Sequence, residues 1–201
     1  MYSNSKKEKM KIDIILAGVG GQGILSIATI LGAAALENNL YLKQAEVHGM
    51  SQRGGDVQST LRISSEPIAS DLAAKASVDM IVSLEPMEAL RYLPWLKPEG
   101  RIVTNTVPFV NIPNYPEMAV IESELAALPA VTSFDMDAVA KEVASARCAN
   151  MVLLGAASPW IGITSEAIEH AIATVFAAKG EKIVEMNIAA YRAGREKATA
   201  L

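Results

Sequence analysis

The sequence predicts an α/β fold: a single Rossmann-like three-layer domain around a mostly parallel, mixed sheet. Three observations predict it. Residues 11–17 (Lys-Ile-Asp-Ile-Ile-Leu-Ala) are apolar and β-branched at nearly every position, the pattern of a strand covered on both faces. A glycine turn follows at once and opens an apolar stretch over 24–38 that has no breaker except Gly32, which reads as a helix. Beyond it, strand-like and helix-like segments alternate along the chain, the ordering of a sheet with helices on its faces.

Residues 41–47 read as a second strand. Residues 48–56 (His-Gly-Met-Ser-Gln-Arg-Gly-Gly-Asp) are polar, glycine-rich and aperiodic, which makes them a loop. Val57, Ser59, Leu61 and Ile63 then alternate with Gln58, Thr60, Arg62 and Ser64, the period of a half-exposed strand. No crossover helix precedes that strand, so it is expected to run antiparallel to its neighbour. A further strand spans 78–84, and Pro86 opens a helix that continues over 87–96. Pro98-Glu99-Gly100 reads as a turn before a strand at 101–106. An irregular loop at 111–116 leads to a helix over 117–128 and a short strand at 131–134. Asp135 is an N-cap for a helix over 136–147, and residues 150–157 are uncharged, a buried helix. Ile163 and Thr164 read as staple and cap of a helix in which Ile168, Ala171, Ile172 and Val175 recur at helical spacing. The tail over 181–200 is helical and more polar, expected to pack on the surface or on a partner.

Composition limits the function classes. With 201 residues, 51% hydrophobic and 20% charged, the chain has the make-up of one folded domain. Its 18 basic and 22 acidic residues give a net charge of −4, which lacks the basic footprint of a nucleic-acid binder or of a protein held on anionic lipid. One cysteine, Cys148, excludes an internal disulfide and cannot alone hold an iron–sulfur cluster or a structural zinc. The two histidines, His48 and His170, are far apart in the chain. The uncharged run 14–36 is long enough for a membrane span, but Gly18, Gly20, Gly21 and Gly23 interrupt it, and strand–turn–helix accounts for it better. Residues 1–10 read as a flexible leader, 11–201 as the domain, and the protein as cytoplasmic.

Two loops carry candidate chemistry. Gly18-Val19-Gly20-Gly21-Gln22-Gly23 is a G-x-G-x-x-G opening a helix directly after a strand, where exposed backbone N–H groups and the helix dipole favour an anion. A tight turn needing glycine for packing, or a partner-facing loop, explains the same residues. Glu46 ends the second strand and stands in for the acidic residue that a dinucleotide fingerprint places on a ribose hydroxyl, although it falls late. In the second loop His48 has a proton-transfer range and Arg53 grips carboxylates or phosphates bidentately. Gly54 and Gly55 allow close backbone approach; Gln52 belongs to the same run. The alternative is a solvated loop in which Arg53 pairs with Glu46 or Asp56. Cys148 reads as a buried inert thiol, and Glu85 and Glu88 around Pro86 read as helix-capping acids.

At these loops the sequence resembles a known family. Gly18 to Leu25, Glu46 to Gly55, and Leu84-Glu85-Pro86 with Glu88-Ala89-Leu90-Arg91 look like the beta subunits of indolepyruvate:ferredoxin oxidoreductases, which correspond to the gamma domain of the wider 2-oxoacid:ferredoxin oxidoreductases. Asn105-Thr106 and residues 150–155 fit as well. Subunits acting on aliphatic oxoacids are expected to carry Tyr-Gly, then Glu and Arg-Gly-Gly, where this chain has His-Gly-Met-Ser-Gln-Arg-Gly-Gly, the indolepyruvate form. The resemblance implies one half of an enzyme that decarboxylates an arylpyruvate to an acyl-coenzyme A and passes electrons to ferredoxin. It implies a large alpha subunit holding thiamine diphosphate and iron–sulfur clusters, and no cofactor on this chain alone; self-association of the isolated chain, through the apolar surface it would otherwise bury, stays open. It leaves the catalytic residues unassigned; the glycine and arginine chemistry of the two loops is what suggests that they face coenzyme A, substrate or partner, with Arg53 as anion anchor and His48 as polar contact. From the motifs alone two rivals stand: a self-sufficient Rossmann oxidoreductase using a nucleotide at Gly18–Gly23, and a non-enzymatic anion-binding regulatory domain.

Overall fold

The computed structural model describes residues 9–48, 54–110 and 112–201, with His48 described in its backbone only. Among these residues a single six-stranded sheet runs in the order β2-β3-β1-β4-β5-β6. Its strands are β1 (Lys11–Val19), β2 (Tyr41–His48), β3 (Asp56–Ser64), β4 (Val78–Ser83), β5 (Leu96–Asn105) and β6 (Val131–Phe134). From β1 to β6 the strands are parallel, whereas β3 pairs antiparallel with both β1 and β2. The antiparallel expectation for the half-exposed strand therefore holds, and the sheet is mixed because a loop, not a helix, joins β2 to β3.

Helices cover both faces. On one side α1 (Ile24–Glu37), α4 (Met136–Val143), α5 (Ala149–Ala157), α6 (Ser165–Phe176) and α7 (Glu181–Thr199) share a core with Ile12, Ile14, Leu16, Leu61 and Ile63. On the other, α2 (Pro86–Arg91) and α3 (Met118–Ala126) cover Ile15, Ala17, Ile81 and Ile102. The strict alternation of β1 between these two cores is why its sequence is apolar at almost every position. Asp135 and Thr164 cap α4 and α6, accepting from Ala138 N at 2.7 Å and Ala167 N at 3.3 Å.

Three expectations need correction. The helix expected over 87–96 stops at Arg91, because Pro94 cannot continue it; a single 3₁₀ turn at Leu93–Trp95 leads straight into β5. The expected turn at Pro98–Gly100 lies inside β5, where the register to β4 jumps from Val78–Leu96 to Met80–Arg101. The polar tail is no surface strap: α7 buries Asn187, Ala190, Tyr191, Gly194 and Ala198 and lies against α5, which is buried along its whole length. A Cβ on Gly155 would sit 1.9 Å from Tyr191 O, and one on Gly194 2.0 Å from Val152 O. The two glycines let the helix backbones touch, a contact that a polarity reading of the tail misses.

Candidate functional site

The carboxyl ends of β1, β4 and β5 and the loop after β6 meet above the sheet, where open α/β folds place their ligands. Gly21, Gln22 and Gly23 after β1, Leu84 after β4, Asn105 ending β5 and Asp137 beyond β6 line a cavity of ≈ 820 Å³. The turn after β1 is built by its own side chain: Gln22 Oε1 accepts from Val19 N at 2.7 Å, and Gln22 Nε2 donates to Leu84 O at 3.4 Å. Gly23 at φ +79° is the N-cap of α1, with no side chain closing the helix.

The fold joins the two loops that the sequence singles out. Gly20 N donates to Gly55 O at 2.8 Å, and Gly54 N donates to Gly20 O at 3.3 Å. Gly21, Gln22 and Gly23 reach the cavity, while Gly18 and Gly20 belong to the strand end and turn behind it. Glu46 is not brought to the cavity. It is exposed on the edge strand β2, accepts from Gln44 Nε2 at 2.5 Å, and is separated from β1 by β3. A dinucleotide fingerprint needs its acidic residue on the strand adjoining β1, so this topology does not provide that arrangement. The side chain of His48, and Gln52 and Arg53, lie outside the described residues.

Sequence reasoning missed the rest of the cavity wall. Arg147, Cys148 and Asn150 come from the turn into α5, Lys179 from the 3₁₀ turn before α7 and Asn187 from the second turn of α7. In sequence, Arg147 ends a presumed helix and Asn150 sits in an apolar run, so neither announces a site. α1, α5 and α7 all begin at this cavity, and none is closed by a side-chain cap. The positive ends of their dipoles point toward the cavity, where the exposed Arg147 and Lys179 add two positive charges. The acidic lining residue is Asp137, whose Oδ2 accepts from Asn105 Nδ2 at 2.7 Å, while Asn105 Oδ1 accepts from Met136 N at 3.0 Å. Cys148 is buried as expected, and burial pushes its thiol pKa up.

One wall is held by a buried carboxylate. Glu85 caps α2, accepting from Glu88 N at 2.8 Å, so the capping expectation is met. Its other oxygen accepts from the Tyr115 hydroxyl and from Phe109 N at 3.4 Å. Glu85 thereby fixes the loop between β5 and α3, which carries Phe109 into the cavity wall. Burial, together with the bond to Glu85, raises the Tyr115 phenol above its ordinary range.

Known proteins share this architecture. The pyruvate ferredoxin/flavodoxin oxidoreductase family matches residues 13–197. Among curated relatives, indolepyruvate oxidoreductase subunit IorB of Methanothermobacter thermautotrophicus is 31% identical over 192 residues, covering 92% of this chain and 96% of that protein. The subunit of the same name from Pyrococcus horikoshii is 33% identical, covering 90% and 93% respectively. Among solved structures, the gamma subunit of a keto/oxoacid ferredoxin oxidoreductase from Geobacter sulfurreducens superposes with a TM-score of 0.69 at 27% identity, over 94% of this chain and 99% of that one. The 2-oxoglutarate:ferredoxin oxidoreductase of Magnetococcus marinus, solved with 2-oxoglutarate, coenzyme A and succinyl-CoA bound, superposes with a TM-score of 0.75 at 25% identity. The present chain covers 95% of its own length there but spans only 31% of that longer chain.

Proposed function

The chain belongs to the pyruvate ferredoxin/flavodoxin oxidoreductase family, and on that premise we propose that it is the small subunit of an arylpyruvate-oxidising, ferredoxin-reducing enzyme that binds coenzyme A at the cavity above β1, β4 and β5. The observation carrying this reading is the convergence of the glycine turn, three uncapped helix N-termini, Arg147 and Lys179 on one cavity of ≈ 820 Å³. Backbone N–H groups and two cations suit the phosphates of the carrier. Leu84, Phe109, Phe176 and Ile183 suit its less polar arm. Arylpyruvates are preferred as substrate class because the curated relatives reported above are indolepyruvate subunits and the second loop has the indolepyruvate form.

The chemistry of bond cleavage and electron transfer lies elsewhere in this reading. A single cysteine does not fit a cluster, and the described residues hold no group of three or more His, Cys, Asp or Glu side chains suited to a metal. Thiamine diphosphate and iron–sulfur clusters are assigned to a large alpha partner, which would supply the decarboxylation and the path to ferredoxin. This chain's share is to bind the carrier's anionic end, to orient its arm and, through the second loop, to meet the partner. No helix among the described residues is long and apolar enough to cross a membrane, which accords with a cytoplasmic enzyme.

The test is an anoxic purification of the tagged chain from its native cell, followed by calorimetry with coenzyme A and by arylpyruvate-dependent dye reduction. A cluster-bearing partner, arylpyruvate activity and saturable coenzyme A binding that weakens about tenfold in Arg147→Ala are the expected results. A chain that comes down alone and binds a nicotinamide nucleotide sinks the proposal in favour of a self-sufficient oxidoreductase.

A further inference from the structure

Asn150 stands out among the buried polar groups. It lies on the first turn of α5, is only 8% exposed and lines the cavity. Its Nδ2 donates to Gly23 O at 3.1 Å. Its Oδ1 has no hydrogen-bond partner, the single buried side-chain nitrogen or oxygen so left among the described residues. The rest of the interior is attentive to such groups: even Glu85, fully buried, collects three donors. Buried acceptors without a donor are rare in folded proteins and call for a specific explanation.

The chemical identity of the orphan follows from the glycine turn. Gly23 O can only accept, so the group facing it must be the NH₂ end of the amide, and turning the amide over would set oxygen against oxygen. The open position is therefore an acceptor. Gly23 also leaves no room for adjustment, since a Cβ there would lie 2.7 Å from Asn150 Nδ2. The amide is thus tied on one side to the turn that starts α1 and left without a donor on the other.

We propose that Asn150 is a specificity-determining residue of this cavity: its Oδ1 accepts a hydrogen bond from an N–H group of the bound carrier. Arg147 and Lys179 admit anions in general, and Asn150 selects those that also bring an amide or amino donor. Coenzyme A has both kinds of group, whereas a bare phosphate or pyrophosphate has only the anionic part. The assignment rests on the coenzyme A reading above.

The test compares coenzyme A with inorganic pyrophosphate by calorimetry on the complex as isolated. Asn150→Ala is expected to weaken coenzyme A at least tenfold and to leave pyrophosphate unchanged, while Arg147→Ala weakens both. Equal coenzyme A binding by wild type and Asn150→Ala overturns the proposal, because Oδ1 is then served by something other than the carrier. An equal loss of both probes in Asn150→Ala also overturns it, because the amide then only holds the turn. Wild type that binds pyrophosphate but not coenzyme A defeats the coenzyme A reading itself and this assignment with it. A measurement independent of the variant's folding uses wild type labelled with side-chain [¹³C]asparagine. Coenzyme A, and not pyrophosphate, should move one asparagine carbonyl band to lower frequency; no movement with saturating coenzyme A overturns the proposal.

Discussion

The two ends of the parallel strands treat polar groups in opposite ways. At the amino end, Asp13 on β1 is almost wholly buried, and Arg62 grips it with two bonds of 2.8 and 3.0 Å. Asp79 on the neighbouring β4 accepts from Asp13 N at 2.7 Å and pairs with Lys97 at 2.5 Å. At the carboxyl end, three helix starts lack caps, Asn150 Oδ1 lacks a donor, and Arg147 and Lys179 stand exposed at a cavity. Both ends are charged and glycine or loop residues surround both. The difference is closure: groups satisfied within the chain hold the fold, and groups left open are available to something outside it.

The sharpest way to break this contrast is Arg62→Ala. It leaves the buried Asp13 only the longer ion pair to the exposed Lys11 at 3.4 Å, and losing the main partner of a buried pair costs up to about 3–5 kcal/mol. Arg62 also donates to Ser70 O and Leu72 O, both at 3.0 Å, so the loop after β3 loosens as well. Urea unfolding should show a loss of that size, with coenzyme A affinity unchanged in the fraction that remains folded. An affinity that fell with it would mean that the two ends are coupled through β1.

The same contrast explains what could be read from the sequence. The β1 strand, the glycine turn and α1 were legible because each has a local cause: two-sided burial, positive φ at Gly21 and Gly23, and helical spacing. The caps Asp135 and Glu85 were legible for the same reason, since their partners lie three residues on. The closure of Asp13 by Arg62 spans 49 residues, and the bond from Asn150 to Gly23 spans 127. No periodicity encodes such pairings. By motif the anion-binding role falls on Arg53, which lies outside the described residues, whereas Arg147 and Lys179 reach the cavity through the packing of α5 and α7, a feature no motif encodes.

Tyr115→Phe probes an element that belongs to both categories, because Glu85 is closed within the chain yet holds a cavity wall. Removing the hydroxyl leaves Glu85 two N–H donors and costs about 1.5 kcal/mol, as for a bond to a charged acceptor. Hydrogen exchange should quicken in the loop that carries Phe109, and coenzyme A should bind a few-fold more weakly. A stability loss without any change in exchange there would place Tyr115 wholly on the closed side.

Arg147→Ala should do the reverse of Arg62→Ala. An exposed side chain away from caps and cores changes stability by no more than about 0.5 kcal/mol, so the urea midpoint should stay in place while coenzyme A affinity falls about tenfold. A variant that lost stability comparably to Arg62→Ala would show that the open end is structural after all.

At neutral pH the last effect vanishes, because it appears only in alkali. Tyr92, which ends α2, has its phenol pushed up from 10.0 to about 12, first by burial and then by Asp56 and Glu88. Because the fold favours the protonated phenol, its contribution is complete below pH 10 and is lost as the pH rises from there toward 12. Burial shifts the Cys148 thiol in the same direction from its ordinary value of 9.0, so it adds to the alkaline loss. Tyr92→Phe should flatten the upper part of the stability profile between pH 10 and 12, read from urea midpoints, and leave coenzyme A affinity at neutral pH untouched. Cys148 lines the cavity, so its alkaline contribution should respond to saturating coenzyme A, whereas that of Tyr92 should not. Equal responses at the two residues would remove the distinction between a closed and an open end, since a carrier bound at the cavity would then be sensed as strongly by α2 as by the residues that touch it.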